Sequence, residues 1–264
     1  MLADPAGEVV YVSTPIGLHA FHGRSVLNAN KHFWCEKPLA ETLADVLDLE
    51  SLSRERGLSL AEGYMYLYHP QFGYLRELVD SGVLGQVRSI TCRFGIPPLE
   101  RPGFRSDPEL GGGAFLDVGS YLISATTALF RETTPAVLYS RIDTASGSRV
   151  NTGGQAVLRS QSGVYITLEW GVDCAYRNEI DVWGSEGSVS SDRIFSKAAD
   201  YVPRFRFVDL KGREEFRTGR AGNHFGSMFE SFRTLVDNPL AAEGERGEIV
   251  RRAHLMNEIA TARH

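Results

Sequence analysis

Three short segments of the chain place ionisable side chains beside proline or glycine, the two residues with special backbone conformations. In the first, KHFWCEKPLAET (31–42), an apolar run ends abruptly in Glu36, Lys37 and Pro38. Proline lacks an amide hydrogen and pushes the residue before it into an extended conformation. Lys37 is therefore either a surface residue that pairs with Glu36 or another acid, or an ammonium aimed at a ligand.

The second segment follows another apolar run, EVVYV, and consists of Ser13, Thr14 and Pro15, with His19 close behind. One interpretation is structural, because a hydroxyl cap and a first-turn proline commonly begin a helix. The other interpretation is that these polar groups face a ligand. The occurrence of both segments directly after apolar runs favours a binding site.

The third segment, GGGAFLDVGSY (111–121), has three glycines that allow a tight turn or a close backbone approach before a helix. In that helix Asp117 and Tyr121 are four positions apart and share a face, with Ser120 and Ser124 beside them. This polar stripe either faces a ligand or makes structural hydrogen bonds within the protein.

If the stripe faces Lys37, the ammonium favours the phenolate of Tyr121 and lowers its pKa from the ordinary value of about 10. Such a pair takes a proton from an alcohol as hydride leaves, or gives one to a ketone as hydride arrives. Asp117 either orients a substrate hydroxyl or keeps Lys37 charged. The three residues predict acid–base catalysis that needs a hydride carrier.

Two further groups of residues are weaker candidates. The segment AEGYMYLYHPQ (61–71) is mostly expected to pack in the core, but its Tyr66, His69 and Gln71 are predicted to form the floor of a sugar pocket. His19 and His22 are three positions apart on a predicted helix. No carboxylate or cysteine completes a ligand set around them, so no metal site is predicted.

The composition excludes several classes of function. With 28 Lys and Arg against 33 Asp and Glu, the net charge is −5, and no basic run suggests a nucleic-acid partner. No apolar stretch approaches the roughly 20 residues of a membrane span, and no signal-peptide pattern is present. The three cysteines are widely spaced. They fit a reduced, cytoplasmic compartment better than a disulfide framework.

Strand-like and helix-like segments alternate through the first sixty or so residues. Apolar runs at 8–12, 31–35 and 58–62 are separated by helical patterns at 18–29 and between Thr42 and Gly57. This order predicts a parallel sheet, in which ligands bind beyond the carboxyl ends of the strands. Consecutive strands are usually neighbours, so the first two polar segments should border one crevice.

From about residue 70 the pattern becomes rich in strands, and two amphipathic helices close the chain. The strand-like segments are QVRSITCRFG and residues 136–143, 155–160, 163–170, 178–183, 187–191 and 204–209. We predict an α/β protein in which residues 1–70 form a partial parallel βαβ domain. Residues 71–264 are predicted to form an α+β domain with a large open, mostly antiparallel sheet.

Together, the segments VVYVSTPIGLHA, CEKPLA, AEGYMYLYHPQ and GGGAFLDVGSY resemble the Gfo/Idh/MocA family of NAD(P)-dependent oxidoreductases along essentially the whole chain. The resemblance implies a Rossmann cofactor domain and a substrate domain whose open sheet forms the contacts of a homo-oligomer, a dimer or tetramer. It implies that Lys37 assists catalysis beside the nicotinamide of NAD or NADP. It also implies a set of cofactor-lining residues: Ser13, Thr14, Pro15, His19, Glu36 and Pro38.

Many members of that family have histidine at the position of Tyr121. In having tyrosine there, this sequence resembles the branch that contains glucose–fructose oxidoreductase, dihydrodiol dehydrogenase, xylose dehydrogenase and some nucleotide-sugar ketoreductases. This resemblance implies a sugar, nucleotide-sugar or cyclic polyol substrate. The predicted reaction transfers a hydride between NAD(P) and a secondary alcohol or ketone. Tyr121 is the predicted general acid/base, Lys37 its electrostatic partner and Asp117 the residue that orients substrate.

The sequence departs from the family pattern in one respect, because it has no G-x-G-x-x-G turn to bind the pyrophosphate. It begins at what resembles the fourth strand of the Rossmann domain. We therefore expect weak dinucleotide binding and an exposed sheet edge, in either a fragment of a longer enzyme or a natural truncation. The alternative functions are a non-catalytic sugar-binding or scaffold relative and an assembly protein.

Overall fold

In the computed structural model, which describes residues 2–131 and 133–262, the amino-terminal region forms a parallel sheet. Its three strands lie side by side in chain order: β1 (Val9–Val12), β2 (His32–Glu36) and β3 (Leu60–Gly63). The crossovers are α1 (His19–Asn28), which follows a 3₁₀ turn at Ile16–Leu18, and α2 (Leu43–Glu55). This arrangement confirms the predicted order. Val12, the last residue of β1, is opposite Cys35, so the carboxyl ends of β1 and β2 lie side by side.

Local interactions explain where α2 begins and ends. The Thr42 hydroxyl accepts a hydrogen bond from the Asp45 amide at 3.1 Å and caps the first turn. Gly57 follows the last turn with a left-handed φ of 65°, a conformation that glycine adopts without strain. Both predicted boundaries are confirmed.

The chain continues through α3 (Pro70–Asp80) into eight strands that form one open sheet. The strands are β4 (Val87–Ile96), β5 (Ala136–Asp143), β6 (Gly153–Arg159), β7 (Tyr165–Val172), β8 (Arg177–Gly184), β9 (Gly187–Asp192), β10 (Arg204–Asp209) and β11 (Glu214–Thr218). Their order is β11-β10-β9-β8-β4-β7-β6-β5. Only β4 and β7 pair in parallel, which confirms the mostly antiparallel sheet within the described residues.

The sequence did not predict β11, because all five of its residues are exposed and show no apolar alternation. The helix predicted after the three glycines of the third segment is also different. It begins as a π-helical turn at Phe115–Gly119 and continues as α4 (Ser120–Leu129). Such turns are frequent at functional sites.

Two further helices, α5 (His224–Asp237) and α6 (Pro239–Thr261), close the chain. Among the residues described, no helix is long and apolar enough to cross a membrane.

Two hydrophobic clusters connect the two sheets with the helices. The larger cluster includes most of the buried residues of the second sheet, together with Trp34 and Tyr64 from the first region. The smaller cluster lies against the three-stranded sheet and includes Ile249 and Ala253 of α6. The domain boundary near residue 70 stays a prediction, because residues on both sides of it contribute to each cluster.

Candidate active site

A cavity of about 710 Å³ opens beyond the carboxyl ends of β1 and β2. Its wall includes Ser13 and Thr14 after β1, and Lys37 after β2. The π-helical turn and α4 supply Asp117 and Tyr121. The structure therefore brings the three predicted segments to one cavity. The other lining residues are Ile16, His19, Glu36, Phe94, Ile96, Pro97, Leu99, Arg101, Phe104, Arg105, Val118 and Ser196.

Lys37 makes three contacts inside this cavity. Its Nζ donates to the backbone oxygen of Asp117 at 2.5 Å and to Asp117 Oδ1 at 3.2 Å. It also lies 4.4 Å from the centre of the Tyr121 ring. Burial lowers the pKa of Lys37, and the neighbouring Asp117 and Glu36 carboxylates offset part of this effect. The geometry places a cation of reduced basicity beside both predicted partners.

Asp117 lies between two cations, since its Oδ2 accepts a hydrogen bond from Arg105 Nε at 2.7 Å. Burial opposes ionisation of this carboxyl. The charges of Lys37 and Arg105 outweigh burial and hold the pKa of Asp117 below its ordinary value. Of the two roles predicted for Asp117, this arrangement favours the one in which it keeps Lys37 charged.

Arg105 was not identified in the sequence. It lies in a 3₁₀ turn at Gly103–Ser106, within the proline-rich loop that follows β4. No spacing or motif in that loop distinguishes Arg105 from the exposed Arg101. Only the fold, which returns the loop to the carboxyl ends of β1 and β2, reveals its contact with Asp117.

The prediction that Lys37 lowers the pKa of Tyr121 is wrong. Burial raises the pKa of Tyr121 well above its ordinary value, and the Glu36 and Asp117 carboxylates add to the increase. Lys37 lies against the face of the ring, while the hydroxyl contacts Met65 Sδ at 3.7 Å. Tyr121 is therefore a protonated phenol at neutral pH, with a weak sulfur acceptor as its partner.

His19 connects the two loops that follow β1 and β2. Its Nε2 lies 2.8 Å from the carbonyl oxygen of Thr14, and its Nδ1 lies 2.9 Å from that of Pro38. His19 is fully buried. It therefore acts here as a link between backbone segments, at the edge of the cavity.

The remaining residues predicted to line the cofactor divide into two groups. Glu36 faces the cavity and accepts a hydrogen bond from the Tyr11 hydroxyl at 2.5 Å. The buried Thr14 Oγ1 has no hydrogen-bond partner among the described residues, as expected of a group that serves a ligand. Pro15 and Pro38 belong to the two loops but do not line the cavity.

The glycines of the third segment allow the loops to approach one another, as predicted. Gly111 has a left-handed φ of 75°, and a Cβ on it would lie 2.7 Å from the backbone nitrogen of Gly17. A side chain at Gly111 would therefore push apart the two loops that carry Thr14 and Asp117.

Tyr66, His69 and Gln71 do not reach the cavity, and their predicted contact with substrate is corrected. The Tyr66 hydroxyl hydrogen-bonds the Ser124 hydroxyl at 2.6 Å, and Gln71 Nε2 donates to Ser191 Oγ at 2.8 Å. His69 Nδ1 accepts the Gln71 amide and caps α3. The 3₁₀ turn at Met65–Tyr68 directs this segment into the core, where all three residues are buried.

A buried ionic network lies behind the loop that carries Lys37. Glu62 Oε1 accepts a hydrogen bond from the Leu39 amide at 2.7 Å, and its Oε2 accepts one from Arg252 Nε at 2.8 Å. Arg252 also reaches Glu245 at 3.4 Å. Residues of β3 and α6 thus meet directly beneath the loop.

Glu245 gives this network a pH-dependent contribution to stability. Burial raises the pKa of Glu245 from 4.5 to about 7, although Arg252 opposes the change. A carboxyl with a raised pKa contributes stability that is full below its unfolded pKa and is lost as the pH rises through its folded pKa. Between pH 4.5 and 8, the unfolding free energy of the wild type should therefore fall by about 2–3 kcal/mol because of Glu245. The Glu245→Gln variant should not show this fall.

Urea unfolding of both proteins at the two pH values measures this difference. The control is Glu258→Gln, which changes an exposed acid further along α6, and it should retain the pH dependence of the wild type. If the wild type and Glu245→Gln have parallel stability profiles, Glu245 does not titrate in this range.

Comparison with known proteins identifies the family of both regions. Residues 1–64 match the model of the oxidoreductase family with an NAD-binding Rossmann fold. Residues 72–190 match the model of the GFO/IDH/MocA C-terminal domain. The cavity therefore lies where a nucleotide-binding region meets the carboxyl-terminal domain of the same family.

Curated relatives cover most or all of the chain. A dTDP-3,4-didehydro-2,6-dideoxy-alpha-D-glucose 3-reductase from Saccharopolyspora spinosa is 34% identical over 270 residues, covering 100% of this chain and 80% of the relative. A D-xylose 1-dehydrogenase (NADP(+)) 2 from Haloferax volcanii is 32% identical over 197 residues, covering 74% of this chain and 60% of the relative.

Solved structures agree with this assignment. KijD10, a 3-ketoreductase from Actinomadura kijaniata solved with NADP and TDP-benzene, superposes with a TM-score of 0.91 and 32% identity. The match covers 98% of this chain and 79% of that one. The chain matches both family models and covers 80% of a relative to which it is 34% identical. The chain therefore belongs to the Gfo/Idh/MocA family of NAD(P)-dependent oxidoreductases.

Proposed function

We propose that this protein reduces a ketone of a sugar, preferably a nucleotide-linked sugar, with NADPH or NADH as reductant. The observation that carries the proposal is the contact of Lys37 Nζ with Asp117 and with the Tyr121 ring in one cavity. A cation and a phenol in contact form an acid pair suited to protonating a carbonyl oxygen.

The residues at the ends of β1 and β2 fit the nicotinamide half of the cofactor, which supplies the hydride when it is bound. Ser13, Thr14 and Glu36 would hold it, because they line the cavity and the buried Thr14 hydroxyl is available for a hydrogen bond. His19 would support these residues through its contacts with the two backbone segments.

The chain's own residues then provide the proton. The raised pKa of Tyr121 keeps its hydroxyl protonated at neutral pH, so it donates to the substrate oxygen in place of its weak contact with Met65. Lys37 stabilises the negative charge that develops on that oxygen. Asp117 and Arg105 hold Lys37 at the ring of Tyr121.

Solved variants of the Actinomadura ketoreductase concern a lysine and a tyrosine with the same spacing as the pair proposed here. That enzyme has been solved with a lysine replaced by alanine and, separately, with a tyrosine replaced by phenylalanine. The two replaced residues are separated by the same number of positions as Lys37 and Tyr121 in this chain. The names of this ketoreductase and of the Saccharopolyspora reductase support a nucleotide-linked substrate.

The non-catalytic alternative is not favoured, because sugar binding or scaffolding does not require a buried lysine–aspartate pair beside a tyrosine. The pair is costly in isolation, since burial disfavours both charges. Its retention in a cavity is expected of an enzyme.

The protein is further proposed to form a homo-oligomer through the exposed face of the eight-stranded sheet. Tyr165 of β7 and Trp183 of β8 both lie opposite Ser89 of β4, so they share this face. Trp183 is 57% exposed. Sedimentation velocity should show a dimer or tetramer that Trp183→Asp dissociates, whereas a wild-type monomer would contradict the proposal.

Fluorescence titration of the protein with NADPH and with NADH tests cofactor binding first. The oxidation of NADPH or NADH is then followed with dTDP-3,4-didehydro-2,6-dideoxy-alpha-D-glucose as substrate. The reverse reaction, the reduction of NADP, is followed with D-xylose as substrate. We expect turnover that is fastest with the nucleotide-linked ketone. Binding without turnover on any sugar would contradict the proposed reaction, and faster turnover of D-xylose would contradict the substrate class.

A further inference from the structure

The peptide group between Pro38 and Leu39 is held at both of its polar atoms. The Pro38 carbonyl oxygen lies 2.9 Å from His19 Nδ1, and the Leu39 amide donates to Glu62 Oε1 at 2.7 Å. This group is one residue beyond Lys37. Because the ring of Pro38 fixes its φ, holding this group restricts the backbone on the carboxyl side of Lys37.

Glu62 is in turn fixed by Arg252, which lies 190 positions further along the chain. The two side chains are 4% and 6% exposed, and their bond measures 2.8 Å. Arg252 also lies over the Tyr64 ring, 5.4 Å from its centre, and reaches Glu245. A buried guanidinium with these three partners thus contacts the carboxylate that accepts the Leu39 amide.

Stability alone does not explain this buried pair. Apolar residues of similar size commonly give equal or greater stability than a buried ion pair, because both charges lose their hydration. The space between the loop and α6 also contains a cavity of about 140 Å³, lined by Pro38, Leu39, Ala253 and Met256 among others. The loop is therefore incompletely packed against α6, and the ionic contacts span the gap.

We propose that Arg252 is a positioning residue for Lys37. By fixing Glu62 it holds the Pro38–Leu39 peptide group, and so directs Lys37 toward Asp117 and Tyr121. The inference rests on the proposed role of Lys37 in proton transfer, but the position of Lys37 is measurable without cofactor or substrate.

Competitive acetylation with acetic anhydride, read by mass spectrometry, measures how accessible each lysine amine is. Lys31 is the internal reference, because it is also buried and lies directly before the strand that leads to Lys37. In Arg252→Met we expect acetylation of Lys37 relative to Lys31 to rise about tenfold, the effect of leaving a buried partner unpaired. Circular dichroism confirms that the variant is folded.

The matched control is Arg251→Met, which removes a neighbouring arginine that donates to the backbone oxygens of Thr127 and Phe130. It should leave the ratio of Lys37 to Lys31 acetylation unchanged. Arg252→Lys keeps a cation for Glu62 and should give a smaller rise, of about threefold.

Unchanged ratios in both Arg252 variants would overturn the proposal, as would loss of the native fold in both, since the pair would then be purely structural. In the active enzyme, Arg252→Lys should lower kcat about threefold while the KM for NADPH stays constant. The labelling ratio separates this proposal from the proposed reaction. It responds to Arg252 even if the protein turns over none of the sugars.

Discussion

Replacing Tyr121 with phenylalanine is expected to lower kcat by about 10²–10⁴-fold, with a change of less than about threefold in affinity for NADPH. The substitution removes only the hydroxyl that we propose as proton donor. It retains the ring contacts with Tyr64, Phe94 and Phe195. Steady-state kinetics with a nucleotide-linked ketosugar and the fluorescence titration measure the two quantities separately.

Tyr64→Phe is the matched control for this prediction. Tyr64 is fully buried, and its ring centre lies 5.7 Å from that of Tyr121. Its loss of one hydroxyl should leave kcat within about threefold of the wild type. Unchanged kcat in Tyr121→Phe would remove Tyr121 from the mechanism. Equal losses in both variants would assign the effect to the general loss of a buried hydroxyl and not to proton donation by Tyr121.

Lys37→Met is expected to lower kcat by about 10²–10³-fold, because it removes the charge that we propose stabilises the negative charge developing on the substrate oxygen. The variant still leaves Asp117 paired with Arg105. Lys31→Met is its control, since Lys31 precedes the same strand and its Nζ donates to the backbone oxygens of Asp4 and Gly7. A similar kcat in the two methionine variants would refute the role of Lys37.

The pH profile of kcat gives a second test of Lys37. Burial lowers the pKa of Lys37 below its ordinary value of 10.5. If the ammonium is the active form, kcat is full below that lowered pKa and falls as the pH rises through it. Lys37→Arg keeps its charge at every accessible pH, so its residual activity should not show this fall. A wild-type kcat that is constant up to pH 10.5 would contradict the assignment.

The parts of the fold that were predictable from sequence depend on local chemistry. Thr42 and Gly57 mark the ends of α2 through a side-chain cap and a left-handed φ, and both signals act within one helical turn. Lys37 was conspicuous because Pro38 follows it at the end of an apolar strand. Parallel pairing of consecutive strands then brought Thr14 and Lys37 to one crevice.

The errors and omissions have tertiary causes. The sequence predicts Tyr66, His69 and Gln71 in a sugar pocket, but a 3₁₀ turn directs this segment into the core. The sign of the pKa change at Tyr121 was wrong, because sequence spacing shows neither burial nor which part of the ring Lys37 approaches. Arg105 and Arg252 lie outside any motif, and each meets its carboxylate only in the folded chain.

The position of α6 has a consequence for biosynthesis. Ile249 and Ala253 complete the apolar cluster against the three-stranded sheet, and Arg252 bonds Glu62. Nascent chains emerge amino terminus first, and amino-terminal domains usually fold before later ones are made. Here β1, β2 and β3 cannot complete their packing until α6 has left the ribosome. Lys37 is therefore synthesised well before the helix that completes the packing behind its loop, and a premature stop codon before α6 would leave the cavity around Lys37 incompletely packed.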